Sequence, residues 1–259
     1  MISILPHYHP IRYKDVVLSV SLMIIFSLIS ELNQLTISFF FLSLFFTFNR
    51  SFLVVLLANL YLFSKFPFEN FLESLKNPQN YQIIFILVLI GLSCLFLGFF
   101  MVYHDIKSVI MRKYFHIAPF SVIYLLADYP DIRLWAPDLI LLAAINSMLL
   151  YRFSASAKLL QGDSMFAHFY LLLSFAAAII LNDRLIADLW LADAAAALTG
   201  TLLKRKTKSF EGSLAFWAVY YILQKRAFEA VIMMLIERLP LNDNGSLLIA
   251  ALLKRYLNL

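Results

Sequence analysis

Apolar runs follow one another along almost the entire chain, in greater number and length than one water-excluding core can absorb. They fall at about 16–30, 35–48, 51–66, 81–103, 117–127, 134–151, 166–181, 185–203, 213–236 and 246–257. Crossing the hydrocarbon of a bilayer takes about 20 helical residues, so some of these runs suffice to span and others are too short to do so alone. With 62% hydrophobic and 14% charged residues in 259, the chain is not an ordinary water-soluble domain. The runs are continuous rather than alternating, which argues against a closed β-barrel. The expectation is an all-α polytopic transmembrane bundle of about seven to nine spanning helices, with half-helices where runs are short.

Charge and cysteine content narrow the function classes. The net charge of +5 is spread over separate loop clusters and does not suggest nucleic-acid binding. The single cysteine, Cys94, lies inside an apolar run, so it forms no intrachain disulfide and reads as packing. Arg12 and Lys14 precede the first apolar run and no small-residue cleavage pattern follows it, so that run reads as a retained membrane-targeting helix with its basic flank in the cytoplasm. Ionisable residues are sparse inside the runs of 1–103 and recur at helix ends from 104 onward. This divides the chain into a lipid-facing region, 1–103, and a functional region, 104–259.

Four constellations in the second region carry chemistry. The densest is Lys204-Arg205-Lys206-Thr207-Lys208-Ser209-Phe210-Glu211-Gly212-Ser213, in which cations, hydroxyls and a glycine allowing close backbone approach suit a polyphosphate. The simplest alternative is a basic loop held in the cytoplasm by the charge rule for membrane proteins. Earlier comes Arg112-Lys113-Tyr114-Phe115-His116, where helical spacing puts Arg112 and His116 on one face. Snorkelling cations at the membrane surface explain the same pattern without function. Gly162-Asp163-Ser164 precedes a run containing His168 and Tyr170; a helix cap accounts for Asp163, whereas His168 in apolar surroundings requires a partner or a cavity.

Asp193 is the least easily dismissed residue, because it interrupts an apolar helix and must be paired or ligating. Asp193, Ala197 and Gly200 form a small-residue stripe that lets a backbone or ligand approach the acid. A magnesium ion would suit its carboxylate, with Glu237 and Asp243 as further oxygen ligands. The last two acids belong to the turn-rich segment Glu237–Ser246, which a plain loop with a helix cap explains equally well.

Together these pieces resemble the CTP-dependent polyprenol kinases, the family of dolichol, phytol and farnesol kinases and of a CTP-using diacylglycerol kinase. The resemblance covers about 104–257. Arg112-Lys113-Tyr114-Phe115-His116 resembles an Arg-Lys-x-x-His element, Asp193 to Gly200 a Gly-Asp-x-x-Ala-x-x-x-Gly element, and Asp243-Asn244 an Asp-Asn pair. Lys208-Ser209-Phe210-Glu211-Gly212-Ser213, the most specific, is similar to Lys-Ser-x-Glu-Gly-Ser. Gly162-Asp163-Ser164 followed by His168-Phe169-Tyr170-Leu171-Leu172 tilts the resemblance toward dolichol kinase. Ala192 stands where the family has glycine, and Gly245-Ser246 where an apolar residue is usual.

The expected function is transfer of the γ-phosphoryl group of CTP to the terminal hydroxyl of dolichol or another polyprenol, giving the dolichyl phosphate used in glycosylation. Lys204, Arg205, Lys206, Lys208, Ser209, Glu211, Gly212 and Ser213 are expected to hold CTP on the cytoplasmic side. Asp193, Asp243 and His116 are the catalytic candidates, Asp193, Glu237 and Asp243 the magnesium ligands. Arg112, Lys113, Asp163, His168 and Asn244 are assigned to the alcohol. In a eukaryotic cell the resemblance implies the endoplasmic reticulum membrane. The alternatives are another CTP-dependent lipid kinase, a phosphatidate cytidylyltransferase, and a non-enzymatic membrane transporter.

Overall fold

The computed structural model describes residues 13–47, 52–103, 108–126, 128–152, 165–205, 208–239 and 243–257. Every regular element among them is helical, and no strand occurs among the described residues. The helices are α1 (Tyr13–Leu28), α2 (Asn33–Thr47), α3 (Phe52–Ser64), α4 (Phe68–Lys76), α5 (Tyr81–Tyr103), α6 (Ser108–Leu126), α7 (Pro130–Arg133) and α8 (Ala136–Arg152). They continue as α9 (Met165–Leu181), α10 (Arg184–Leu202), α11 (Phe210–Gln224), α12 (Ala227–Glu237) and α13 (Asp243–Tyr256).

Most apolar runs became single helices, with two corrections. The run at 213–236 is two helices, because Lys225 adopts a left-handed conformation (φ 59°) that caps α11 and turns the chain into α12. The run at 117–127 is the second half of a helix that begins at Ser108, so Lys113 and His116 share one helix with the apolar run that follows them. Asn182 (φ 49°) and Lys204 (φ 55°) end α9 and α10 in the same left-handed way. In both, the next N–H reaches back five residues, from Asp183 to Ala178 O and from Arg205 to Gly200 O, each at 2.9 Å.

Side-chain pairs fix the relative direction of the helices around α10. Lys113, Phe120 and Tyr124 of α6 meet Asp193, Trp190 and Asp188 of α10 in reverse order, so the two are antiparallel. Gly212 and Gln224 of α11 likewise meet Ala196 and Asp188. Glu237 ends α12 beside Lys208, and Lys254 ends α13 beside Glu229. Ser19 of α1 bonds Tyr170 of α9 at 2.7 Å, and Asn59 of α3 bonds Asn146 of α8. The bundle therefore has a near end, with the connection after α10, and a far end, with the turns before α10 and after α11. The short α4 and α7 both sit at the far end, where Phe71 meets Trp135 edge to face at 5.1 Å.

The interior is packed around Phe26, Phe39, Phe120, Tyr170, Trp190, Phe216 and Tyr220, all nearly or fully buried. The outside is apolar as well. Leu53, Leu56, Leu60 and Phe63 of α3, Phe85, Val88, Leu92 and Phe96 of α5, and Ile222, Phe228 and Leu235 of α11 and α12 are exposed. Over the described residues, α10 alone is by itself long and apolar enough to cross a membrane, and α3 with α4 passes the same test as a pair bent by 57°.

Candidate functional site

Lys113, His116, Phe120 and Tyr124 recur at helical spacing, so one face of α6 presents two nitrogens, then two rings, to α10. On α10 the opposing residues are Asp193, Trp190 and Asp188. The Lys113 ammonium donates to Asp193 Oδ2, and His116 Nδ1 lies 3.3 Å from the same oxygen and 3.5 Å from Lys113 Nζ. Lys113, His116 and Asp193 are 5%, 6% and 2% exposed. Charges so deeply buried are tolerated only when paired, which accounts for three ionisable groups sharing one spot. The His116 ring stands edge-on to Trp190 at 5.2 Å, which fixes its plane.

Lys113, three positions from His116, is the residue that meets both His116 and Asp193, while the Arg112 side chain, expected on the face of His116, lies outside the described residues. Asp193 is not at the helix end expected for it. It is the middle residue of α10, nine from either terminus.

The basic loop owes its shape to its own residues. Lys204 stops α10 with its left-handed backbone, and Ser209 starts α11 by accepting the Gly212 N–H at 3.1 Å. Ser213 Oγ donates to Ser209 O at 3.1 Å, so both serines expected to donate to phosphate are engaged within the first turn of α11. Gly212 is needed for packing. A Cβ there would sit 2.9 Å from Ala196 O, so α11 crosses α10 at one turn from Asp193 with almost no separation. The close approach falls on Ala196, whereas Gly200 of the expected stripe has open space where a Cβ would project.

The cations separate into two groups. Lys204 and Arg205 are exposed, and Arg205 pairs with Glu211 at 2.6 Å. Glu211's carboxyl is held below the usual carboxylate range by its own backbone N–H and by the Arg205 guanidinium. Lys208 turns instead toward the end of α12, where it donates to Glu237 O and to Leu239 O at 3.3 Å and lies 3.5 Å from Glu237 Oε1. That is a helix C-terminal cap by a cation. Lys206 lies outside the described residues.

Of the expected magnesium ligands, Asp193 is held by Lys113 and His116 and Glu237 by Lys208, while Asp243 opens α13 with its side chain outside the described residues. Among the described residues no three His, Cys, Asp or Glu converge as a metal site. The one expected magnesium ligand whose carboxylate lies at the cluster, Asp193, already has an ammonium and an imidazole against the same oxygen. Asp163 lies outside the described residues, as do the side chains of His168 in α9 and Asn244 in α13.

Sequence reasoning passed over a second buried acid. Asp188 accepts hydrogen bonds from the Tyr124 hydroxyl and the Gln224 amide, and Arg184 lies over the Tyr124 ring at 5.5 Å. Next to it, Glu229 accepts from Tyr220 and Lys254 and lies 3.3 Å from Arg226. The signal was available, since an acid four residues into an apolar helix has to be satisfied by something. In comparisons with known proteins, no family model, curated protein or solved structure matches the chain.

Proposed function

We propose that this chain is an integral membrane kinase that moves the γ-phosphoryl group of CTP to the hydroxyl of a long isoprenoid alcohol, with dolichol as the first substrate to test. The observation that carries the reading is convergence. Lys113 and His116, from one motif, meet Asp193, 80 residues away in a second, while Gly212 of a third packs one turn along the same helix. Nothing in the separate motifs requires that meeting.

Phosphoryl transfer asks a protein for positioning and charge neutralisation more than for covalent chemistry. Lys204 and Arg205, exposed at the near end, would draw in the triphosphate, and the first turn of α11 would orient it. Magnesium, when bound, would offset charge on the phosphates beside Asp193. His116 or Asp193, 3.3 Å apart, would accept the alcohol proton as its oxygen attacks phosphorus and CDP leaves.

Membrane insertion is supported by the apolar exterior, since rows of exposed Leu, Ile and Phe on α3, α5, α11 and α12 would otherwise face water. Sidedness is supported by charge. At the near end Lys204, Arg205, Lys208 and Arg238 outnumber Glu211 and Glu237, whereas the cations and acids of the far-end turns are close to balance. Excess Lys and Arg mark the cytoplasmic side, which is where CTP is found.

A transporter is the second reading, and the central position of Asp193 favours it, because ionisable groups at mid-helix commonly mark a pathway. One experiment separates the two. Purified protein receives γ-labelled CTP, magnesium and a panel of isoprenoid alcohols, and label should enter the lipid phosphate with release of CDP. Asp193→Asn should abolish transfer while the protein still inserts and folds. Label in none of the lipids removes the kinase reading, and a CDP-lipid product with pyrophosphate assigns a cytidylyltransferase instead.

A further inference from the structure

We infer that Asp188 is a positioning residue, the second fixed point that holds both functional helices in register on α10; the inference rests on the kinase reading above. Two helices packed through apolar side chains alone can still slide past one another. A second tie some distance away removes that freedom.

For α6 the first tie is Lys113 and His116 on Asp193, and the second is the Tyr124 hydroxyl on Asp188. For α11 the first is Gly212 against Ala196, and the second is the Gln224 amide on Asp188. Asp188 and Asp193 are five residues apart, about 7.5 Å along the axis, while the ties on α6 span eleven residues. One carboxylate thus accepts from the two helices that carry the reactive side chains and the nucleotide loop. Between its position and Asp193 lie Phe120 and Trp190, at 5.4 Å, so Asp188 acts on the site only through helix placement.

The two donors are separable, and they predict different kinetic failures. Tyr124→Phe removes one oxygen and leaves the ring under Arg184, loosening α6; kcat should fall about tenfold with KM for CTP unchanged, since small misplacements near reacting atoms are costly. Gln224→Leu loosens α11 and should raise KM for CTP several-fold with a smaller effect on kcat. Asp188→Leu should show both losses. Asp188→Asn, which accepts from Tyr124 and donates to a flipped Gln224 amide, should restore most of each.

A readout independent of turnover accompanies these assays. The chain has five histidines, so selective 15N labelling gives a short spectrum in which His116→Gln identifies the His116 signal. Tyr124→Phe should shift that signal, and Gln224→Leu should leave it in place. The same kinetic change in both variants, or an unmoved His116 signal in Tyr124→Phe, overturns the assignment. Wild-type protein that transfers nothing from CTP sinks the kinase reading alone, and the histidine spectra still decide the tie.

Discussion

Removing the Lys113 ammonium tests the buried cluster most directly. Lys113→Met keeps the length of the side chain and leaves a carboxylate that is 2% exposed with His116, at 3.3 Å, as its remaining polar partner. Breaking one side of a buried ion pair costs about 3–5 kcal/mol, because the surviving charge stays desolvated. His116 offsets part of that, which places the expected loss near 3 kcal/mol. For a chain of this size each kcal/mol shifts Tm by about 2–4 °C, so a drop of roughly 6–12 °C is expected. The assay is thermal unfolding of detergent-solubilised protein by intrinsic fluorescence. Lys113→Met combined with Asp193→Leu should regain most of the loss, since apolar residues of similar volume commonly replace buried ion pairs at no cost. A single variant melting within 2 °C of wild type, or a double variant in which the two losses simply add, would refute the pairing argument. Neither variant should retain transfer activity, so stability and chemistry are read separately.

The two glycines near the site should respond oppositely. Gly212→Ala forces its Cβ to 2.9 Å from Ala196 O and should lower Tm and raise KM for CTP, whereas Gly200→Ala meets open space and should gain up to about 1 kcal/mol from helix propensity. Unfolding curves of the pair check this, and a Gly212→Ala variant as stable as wild type would show that α11 can move away freely. At Lys225, whose φ is 59°, glycine should stabilise the protein by about 1 kcal/mol by relieving the left-handed backbone. An unchanged or lower Tm in Lys225→Gly would mean that its side chain contributes more than its backbone costs.

Hydropathy made the helices legible because apolar side chains fill the core and also cover much of the outside of the bundle. It missed the break at Lys225, since apolarity continues across 213–236 while the reversal depends on backbone dihedrals that many residues can adopt at a cost. The need of Asp193 for a partner could be read from its apolar setting. The partner itself could not, because Lys113 lies 80 residues earlier and only the packing of α6 on α10 brings it there. Residue type was a poor guide within the basic loop. Lys208 looks like its neighbours in sequence, yet it caps α12, while Lys204 both carries charge and terminates a helix. Asp188 was overlooked because its donors, a tyrosine and a glutamine, carry no charge to advertise a pair.

The rings between the two buried acids bear on where protons travel. Phe120, whose ring has no hydrogen-bonding atom, packs on Trp190 at 5.4 Å, and Trp190 in turn stands edge-on to His116, on the side of the cluster toward Asp188. A proton at His116 therefore finds no hydrogen-bonded relay toward Asp188 through these rings. On the proposed kinase reading, the proton taken from the alcohol would have to leave toward the near end, the side on which the basic loop lies.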